Sequence, residues 1–297
     1  MTRIRLTLLA AAACFSLTGA LSGAAIAQPA STADIAKQRT FANLGLLGSE
    51  CIRYDAANDR YIISNLGERG PQTTGFISIM SPDGAIQNLK FIEGGQKGAT
   101  LIDPLGISIQ NGIIWVADST HMRKFDLMTG APRGEVALPG AGRPNDIFVT
   151  ADNTAYISDS GGTVGTIIKV SPSGEVSLLQ PRDDVMERPN GIAVAADGTV
   201  VHGGRGVNLS FRDSSGRLLR EKTLPTGQFD GIIPLADGGL LVASQLGRNV
   251  YRVSSTGEIT ELAKEIPVPA AIGYDSKRNR LLIPQIALSS VTMVDLP

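Results

Sequence analysis

From about residue 50 onward, short stretches of alternating apolar and polar residues follow one another, each ended by Gly, Pro, Asn or Asp. Alternation with a period of two marks a strand with one buried face. Across these stretches an isoleucine recurs at 52, 107, 147, 192, 232 and 272, at intervals of 55, 40, 45, 40 and 40 residues. Each opens the same phrase: a small or polar pair, Ile, an alternating run, a turn, then a second apolar run. Asn190-Gly191-Ile192-Ala193-Val194-Ala195-Ala196-Asp197-Gly198 and Asp230-Gly231-Ile232-Ile233-Pro234-Leu235-Ala236-Asp237-Gly238 are two copies. A period near 40 with several short strands per unit is the signature of a propeller blade. The pattern therefore predicts an all-β, six-bladed β-propeller with four-stranded antiparallel blades.

The phrases place blade one from Leu44 to Phe91, with Ser81-Pro82-Asp83-Gly84 as a hairpin turn. Blade two follows over 100–138, blade three over 143–180, blade four over 188–224 and blade five over 228–263. Blades three and four both open with Arg-Pro-Asn, at Arg143 and Arg188. Blade six begins near 268 and shows only three clear strands before Pro297. Because a ring must pair every edge, the stretch Thr40–Leu46 is expected to supply the fourth strand and close the circle.

The register then exposes one position around the ring. Two residues before each isoleucine stand Glu50, Leu105, Asn145, Asn190, Asp230 and Ala270. First strands are innermost in a propeller, so these starts ring the mouth of the central channel. Asx residues also begin strands and cap turns anywhere. Two carboxylates and two carboxamides in one register, without His or Cys, make instead an all-oxygen site for a hard divalent cation: Ca²⁺ first, then Mn²⁺ or Mg²⁺, with Zn²⁺ the least suited. The loops after each second strand surround the same mouth: 65–74, 119–121, 160–164, 202–207, 245–248 and 286–289. The first, with Glu68, Arg69 and Pro71, is the candidate lid. His121 and His202 fall on two others as candidate substrate contacts, while Asp118 and Asp159 read as turn-makers.

Composition narrows the destination. Residues 1–27 read as an export signal: Arg3 and Arg5, an apolar stretch from Leu6 to Ala25, and Ala25-Ile26-Ala27 before a cut at Gln28. Residues 28–38 read as a disordered lead-in, and 39–297 as the propeller. A periplasmic or secreted location follows, and no other segment is apolar for long enough to anchor in a membrane. The whole chain carries 27 basic and 28 acidic side chains. Removing the signal leaves a small negative excess that attracts neither nucleic acid nor anionic lipid. Only Cys51 would survive cleavage, which excludes an intramolecular disulfide; at a strand start it reads as a small buried hydrophobe. Zinc-protease, Ser-His-Asp and phosphate-loop patterns are absent, and nothing in the pattern fixes an oligomeric state.

The ordered phrases Ser49-Glu50, Arg143-Pro144-Asn145-Asp146, Pro189-Asn190-Gly191 and Phe229-Asp230-Gly231, the last running on to Leu240-Leu241-Val242-Ala243, resemble the senescence marker protein / gluconolactonase / luciferin-regenerating enzyme family. The likeness spans about residues 44–297, and extends to the diisopropylfluorophosphatases and, more distantly, the paraoxonases. It implies that Glu50, Asn190 and Asp230 bind the metal, that Asn145 binds metal or substrate, that Arg143 orients substrate, and that Asp230 acts as base or nucleophile. Of the two Arg-Pro-Asn arginines it favours Arg143, which alone precedes Asn-Asp. Cys51 stands where that family commonly has proline, and Leu241 where it often has tryptophan. The expected function is an exported, calcium-dependent hydrolase of lactones or related esters. The alternatives are a non-catalytic periplasmic propeller for binding or scaffolding, whose ring would be dispersed or apolar, and a lyase on the same frame.

Overall fold

The computed structural model describes residues 37–68, 74–162, 165–183 and 186–297. Six four-stranded antiparallel sheets succeed one another along the chain, and no α-helix occurs among the described residues. Blade one is β2 (Ser49–Asp55), β3 (Arg60–Asn65), β4 (Phe76–Met80) and β5 (Ile86–Glu93). Blade two is β6 (Pro104–Gln110), β7 (Ile113–Asp118), β8 (His121–Asp126) and β9 (Pro132–Ala137). Blade three holds β10 (Pro144–Val149), β11 (Ala155–Asp159), β12 (Gly165–Val170) and β13 (Val176–Asp183). Blade four holds β14 (Ile192–Val194), β15 (Val200–His202), β16 (Asn208–Arg212) and β17 (Leu218–Thr223). Blade five holds β18 (Phe229–Pro234), β19 (Leu240–Ser244), β20 (Asn249–Val253) and β21 (Ile259–Ala263).

Blade six is built from both ends of the chain: β22 (Gly273–Asp275), β23 (Arg280–Gln285) and β24 (Ser290–Asp295), closed by β1 (Lys37–Phe41). β1 pairs antiparallel with β24 from Lys37↔Asp295 to Phe41↔Val291. The closing strand begins three residues before the expected Thr40–Leu46. The apolar residues that suggested the later placement turn inward instead: Leu46 is buried, and Leu44 packs beside it under blade one. An outermost strand needs no apolar face, so Lys-Gln-Arg-Thr-Phe pairs with a mostly exposed pattern, adding to the backbone ladder a Thr40–Thr292 hydroxyl contact at 2.8 Å and an Arg39–Asp295 ion pair at 3.8 Å. Phe41 lies on the blade-one hairpin at Gly84, whose φ of +97° and lack of a side chain the contact requires; a Cβ there would meet the ring at 2.1 Å. The expected signal peptide and nearly all of the lead-in lie outside the described residues, as do Arg69 and Pro71 of the expected lid.

The second strands are almost continuously apolar and buried, as in β7 and β19, because neighbouring blades cover both faces. One core cluster joins Ile62 and Ile77 of blade one to Ile107 and Phe125 of blade two; another joins Trp115 of blade two to Ile147 and Ile157 of blade three. Blade contacts blade around the ring, and the first strands are left to line the axis.

Candidate functional site

Four first strands carry the same irregularity at the same place. Pairing with the second strand slips between Ser49 and Ile52, Pro104 and Ile107, Pro144 and Ile147, and Phe229 and Ile232. Each time, three steps on the inner strand face two on its partner, so one residue is extra. Such a bulge re-aims a side chain away from the pleat, and Glu50, Leu105, Asn145 and Asp230 all sit within it. In blades one and three a second-strand serine accepts the displaced amide: Ser64 Oγ from Cys51 N and Ser158 Oγ from Asp146 N, both at 3.0 Å. Asn190 reaches the same level just ahead of β14, where its N–H donates to Gly203 O at 2.7 Å.

Glu50 and Asp230 are each only 3% exposed, and Asn145 is 7% exposed. Glu50 Oε2, Asn190 Oδ1 and Asp230 Oδ1 are buried and have no hydrogen-bond partner. The remaining contacts are oriented. Gln245 Nε2 donates to Asp230 Oδ2. Asn145 Nδ2 donates to Ser160 Oγ at 3.0 Å, and that hydroxyl donates to Pro189 O at 2.7 Å. That bond orients the Asn145 amide and uses one of its two N–H donors, leaving its oxygen for a ligand.

The electrostatics follow from burial. Desolvation, then the nearby Asp230 and Asp146, push the Glu50 carboxyl well above its ordinary range. Asp230 is pushed up to about 7 by burial and by Asp146, against the opposing pull of the Asn190 and Gln245 amides. Two buried carboxylates with unpartnered oxygens are costly without a counter-charge. The donor set of carboxylate and carboxamide oxygens fits a hard cation. Among the described residues no three His, Cys, Asp or Glu side chains gather at metal-binding distance, so amide oxygens must complete any such set. Leu105 and Ala270 fill the remaining two register positions and are buried without offering a donor.

Above this ring lies a cavity of about 160 Å³ across blades three, four and five, lined by Arg143, Asn145, Ser160, Arg188, Asn190, Gly204, Arg205, Gln228, Phe229 and Gln245. Three of the loops expected at the mouth contribute to it, through Ser160, through Gly204 and Arg205, and through Gln245. Both Arg-Pro-Asn arginines meet here, although the sequence phrase singled out only Arg143. Asp159 makes the expected turn: its carboxylate accepts Gly142 N at 3.0 Å and Arg143 N at 2.6 Å. Asp118 does likewise for Ile102 N and Asp103 N, at 2.9 and 2.6 Å.

Neither histidine lines the cavity. His202 ends β15, is 2% exposed, and its Nε2 accepts Arg212 Nε at 3.0 Å. Burial and that guanidinium lower its pKa to about 3, so it stays neutral. His121 opens β8, the third strand of its blade, beside Thr120 Oγ1 at 3.1 Å. Cys51 is buried with Sγ accepting Ile107 N at 3.3 Å, and burial raises its thiol pKa, as a small core residue requires.

Sequence reasoning passed over an ion pair in the channel. Arg53 of blade one donates through Nη2 to Asp146 Oδ1 of blade three at 3.0 Å. Its Nη1 donates to the carbonyl of Ile272 in blade six at 2.5 Å. Asp146 also accepts Ile147 N at 2.9 Å, and burial still raises it to about 6. The signal was present: Arg53 follows its isoleucine where other blades carry Ser108, Phe148, Ala193, Ile233 or Gly273. Ser160, Gln245 and Arg205 were legible only as loop members.

No protein-family model matches the sequence, and no curated protein matches it. Among solved structures the chain is similar to a gluconolactonase from Xanthomonas campestris, at 18% identity and a TM-score of 0.65 over 89% of this chain and 91% of that one. It is also similar to a virginiamycin B lyase from Staphylococcus aureus, at 15% identity and a TM-score of 0.59 over 88% of this chain and 99% of that one. A streptogramin B lyase gives 14% identity and 0.60 over 88% and 98%. At these identities the likeness establishes the six-bladed fold.

Proposed function

We propose that this protein is an exported hydrolase of lactones or related esters that works with a bound calcium ion at the channel mouth. The observation that carries the reading is the set of three buried, unpartnered oxygens on Glu50, Asn190 and Asp230, contributed by three different blades. A scaffold propeller would have this ring dispersed or filled with apolar side chains; here two of six positions are apolar and the polar ones converge. Oxygen-only donors suit calcium, with manganese and magnesium next, and offer zinc neither nitrogen nor sulfur. The gluconolactonase neighbour supports the substrate class only as a likeness of frame.

Glu50, Asn190 and Asp230 would hold the ion, with Asn145 contributing its oxygen to ion or substrate. The ion would supply Lewis-acid polarisation of the carbonyl. Arg143, on the exposed rim, would direct its planar fork at a substrate oxygen. Asp230 has one oxygen fixed by Gln245 and a second without a partner. That division lets one oxygen remain a ligand while the other faces an attacking water or the carbonyl carbon. Gln245 keeps the carboxylate from rotating between the two roles.

The lyase neighbours make a second reading available, and the histidines argue against it. One such lyase is described as catalytically inactive when a histidine is replaced by alanine. This chain has two histidines: His202 is buried in its sheet as the acceptor for Arg212, and His121 opens β8 in blade two beside Thr120, away from the blades whose residues line the cavity. The test is metal analysis of the purified protein, followed by a panel of neutral lactones and esters with and without chelator. Calcium retained near one equivalent, with chelator-sensitive hydrolysis, is the expected result. No bound cation and no hydrolysis of any member would refute the proposal.

A further inference from the structure

The cavity above the ring carries more positive charge than hydrolysis of a neutral ester requires. Arg143, Arg188 and Arg205 all line it. Among the described residues none of the three is in an ion pair with a carboxylate, whereas Arg53, Arg60, Arg123, Arg252, Arg278 and Arg280 each are. Glu187, the acid of this loop, is exposed and rests on Gly206 rather than on a guanidinium. In the channel below, Arg53 and Asp146 cancel. Three guanidiniums thus stand over the two buried ring carboxylates of Glu50 and Asp230. Adding a divalent cation only enlarges the excess.

One of these arginines is held by its side chain, and the loop of a second is tied to it through the backbone. Arg188 Nε donates to Ser160 O at 2.8 Å, which pins the guanidinium by one corner and leaves its terminal nitrogens available. The loop carrying it is fastened to the loop carrying Arg205, whose N–H donates to Glu187 O at 2.9 Å. Gly204 permits that approach, since a Cβ there would lie 2.5 Å from Arg188 O. Glu187 and Arg188 both take left-handed backbone angles, φ 48° and 56°, and Gln228 across the cavity has φ 57°.

We infer that the cavity takes a substrate bearing its own oxyanion, held by Arg188 and Arg205 while Arg143 faces the reacting carbonyl. This rests on the hydrolase reading for the word substrate; the anion site itself rests on the arginines. The shared chemistry is a carboxylate or phosphoryl group on a small, oxygen-rich ligand. Guanidinium forks match either in bidentate fashion.

The test compares binding by calorimetry of gluconate, glucarate and 6-phosphogluconate to the calcium-loaded protein. The three share a carbon frame and differ in whether a second oxyanion is present and of which kind. Tighter binding of glucarate or 6-phosphogluconate than of gluconate, by about tenfold or more, is expected for one added charge-assisted contact. The tighter of the two identifies the group. Arg205→Gln should shrink that preference toward unity, and because Arg205 is exposed the variant can be checked for an unchanged melting temperature. Arg188→Gln should do the same. Equal affinity for all three ligands, absence of binding, or a preference that survives both variants would overturn the inference. Parallel assays on glucono-δ-lactone and glucaro-1,4-lactone separate the two claims. Hydrolysis of both at equal efficiency sinks the anion site and leaves the hydrolase. Preferential binding of the dianions without hydrolysis of either lactone sinks the hydrolase and leaves the anion site.

Discussion

Replacing Asp230 by asparagine should stabilise the calcium-free protein at alkaline pH, although it removes a proposed ligand. In the fold the carboxyl is pushed up to about 7, chiefly by burial and by Asp146, from an ordinary 3.8. Between those two values the folded protein holds a proton that the unfolded chain has released. Stability therefore falls as pH rises through this window and levels off above it. A displacement of about three pKa units at 1.36 kcal/mol each makes the cost of ionising this one group about 4 kcal/mol. Glu50 is pushed the same way by burial and by Asp230, so it adds to the penalty. Asparagine keeps an oxygen for Gln245 and offers an amide to the orphaned oxygens of Glu50 and Asn190.

In chelator at pH 8 the variant should melt above the parent by up to about 10 °C, given the usual scaling for a domain of this size. The gap should shrink steadily on acidification and vanish near pH 4. With calcium at about 100 times its dissociation constant the parent gains about 2.7 kcal/mol, and the order narrows or reverses. Thermal melts across pH, each with calcium and with chelator, measure all three. A variant less stable than the parent by the same margin at pH 4 and pH 8 in chelator would refute the electrostatic reading of the ring.

Other outcomes are equally specific. On any lactone the protein hydrolyses, Asp230→Asn under saturating calcium should lose at least about a hundredfold in turnover, the range for removing a general base; near-normal turnover would move that role to Glu50 or a loop residue. Arg143→Lys should raise KM, since an ammonium cannot copy a planar fork, and unchanged steady-state kinetics would return Arg143 to a bracing role. Arg53→Met strands the buried Asp146 carboxylate and should cost about 3–5 kcal/mol in urea unfolding. Adding Asp146→Asn should recover much of that loss, and purely additive losses would deny the pair. Deleting Lys37–Phe41 exposes the outer edge of β24 from Val291 to Asp295, so aggregation or loss of cooperative melting is expected; an unchanged transition would show that closure does not depend on this strand.

What the sequence made legible and what it hid divide along a physical line. Periodicity reports which face a residue shows, and the six isoleucines report it six times over, so the blades and the ring position two residues ahead could be read directly. The bulges could not. A bulge adds one residue to one strand without altering the alternation on either side, yet it is what turns Glu50, Asn145 and Asp230 out of the pleat. Their convergence was inferred from shared register; its cause is a ladder slip that no local composition announces. The histidines fail in the opposite sense. His202 adjoins a Gly-Gly turn and so reads as loop, but the ladder extends to it, pairing it with Ile192 and with Ser210. Once inside the sheet it is a neutral acceptor for Arg212.

The arginines carry the argument furthest, because identical phrases received different environments. Arg143 and Arg188 open their blades alike, and one expects equivalent positions in a ring to be separated by the rotation between blades. They share a cavity because adjacent blades bring consecutive strand starts together at the mouth, where the first is exposed and the second is pinned to Ser160. Repetition thus supplied two copies of one motif, and the strained turn at Glu187 and Arg188 made the second copy different. A repeat architecture fixes where side chains emerge; departures from the repeat decide which chemistry they meet. On that reasoning the blades to examine in any variant are three to five. Their irregularities surround the cavity, while blade two brings only Leu105 to the ring and blade six only Ala270.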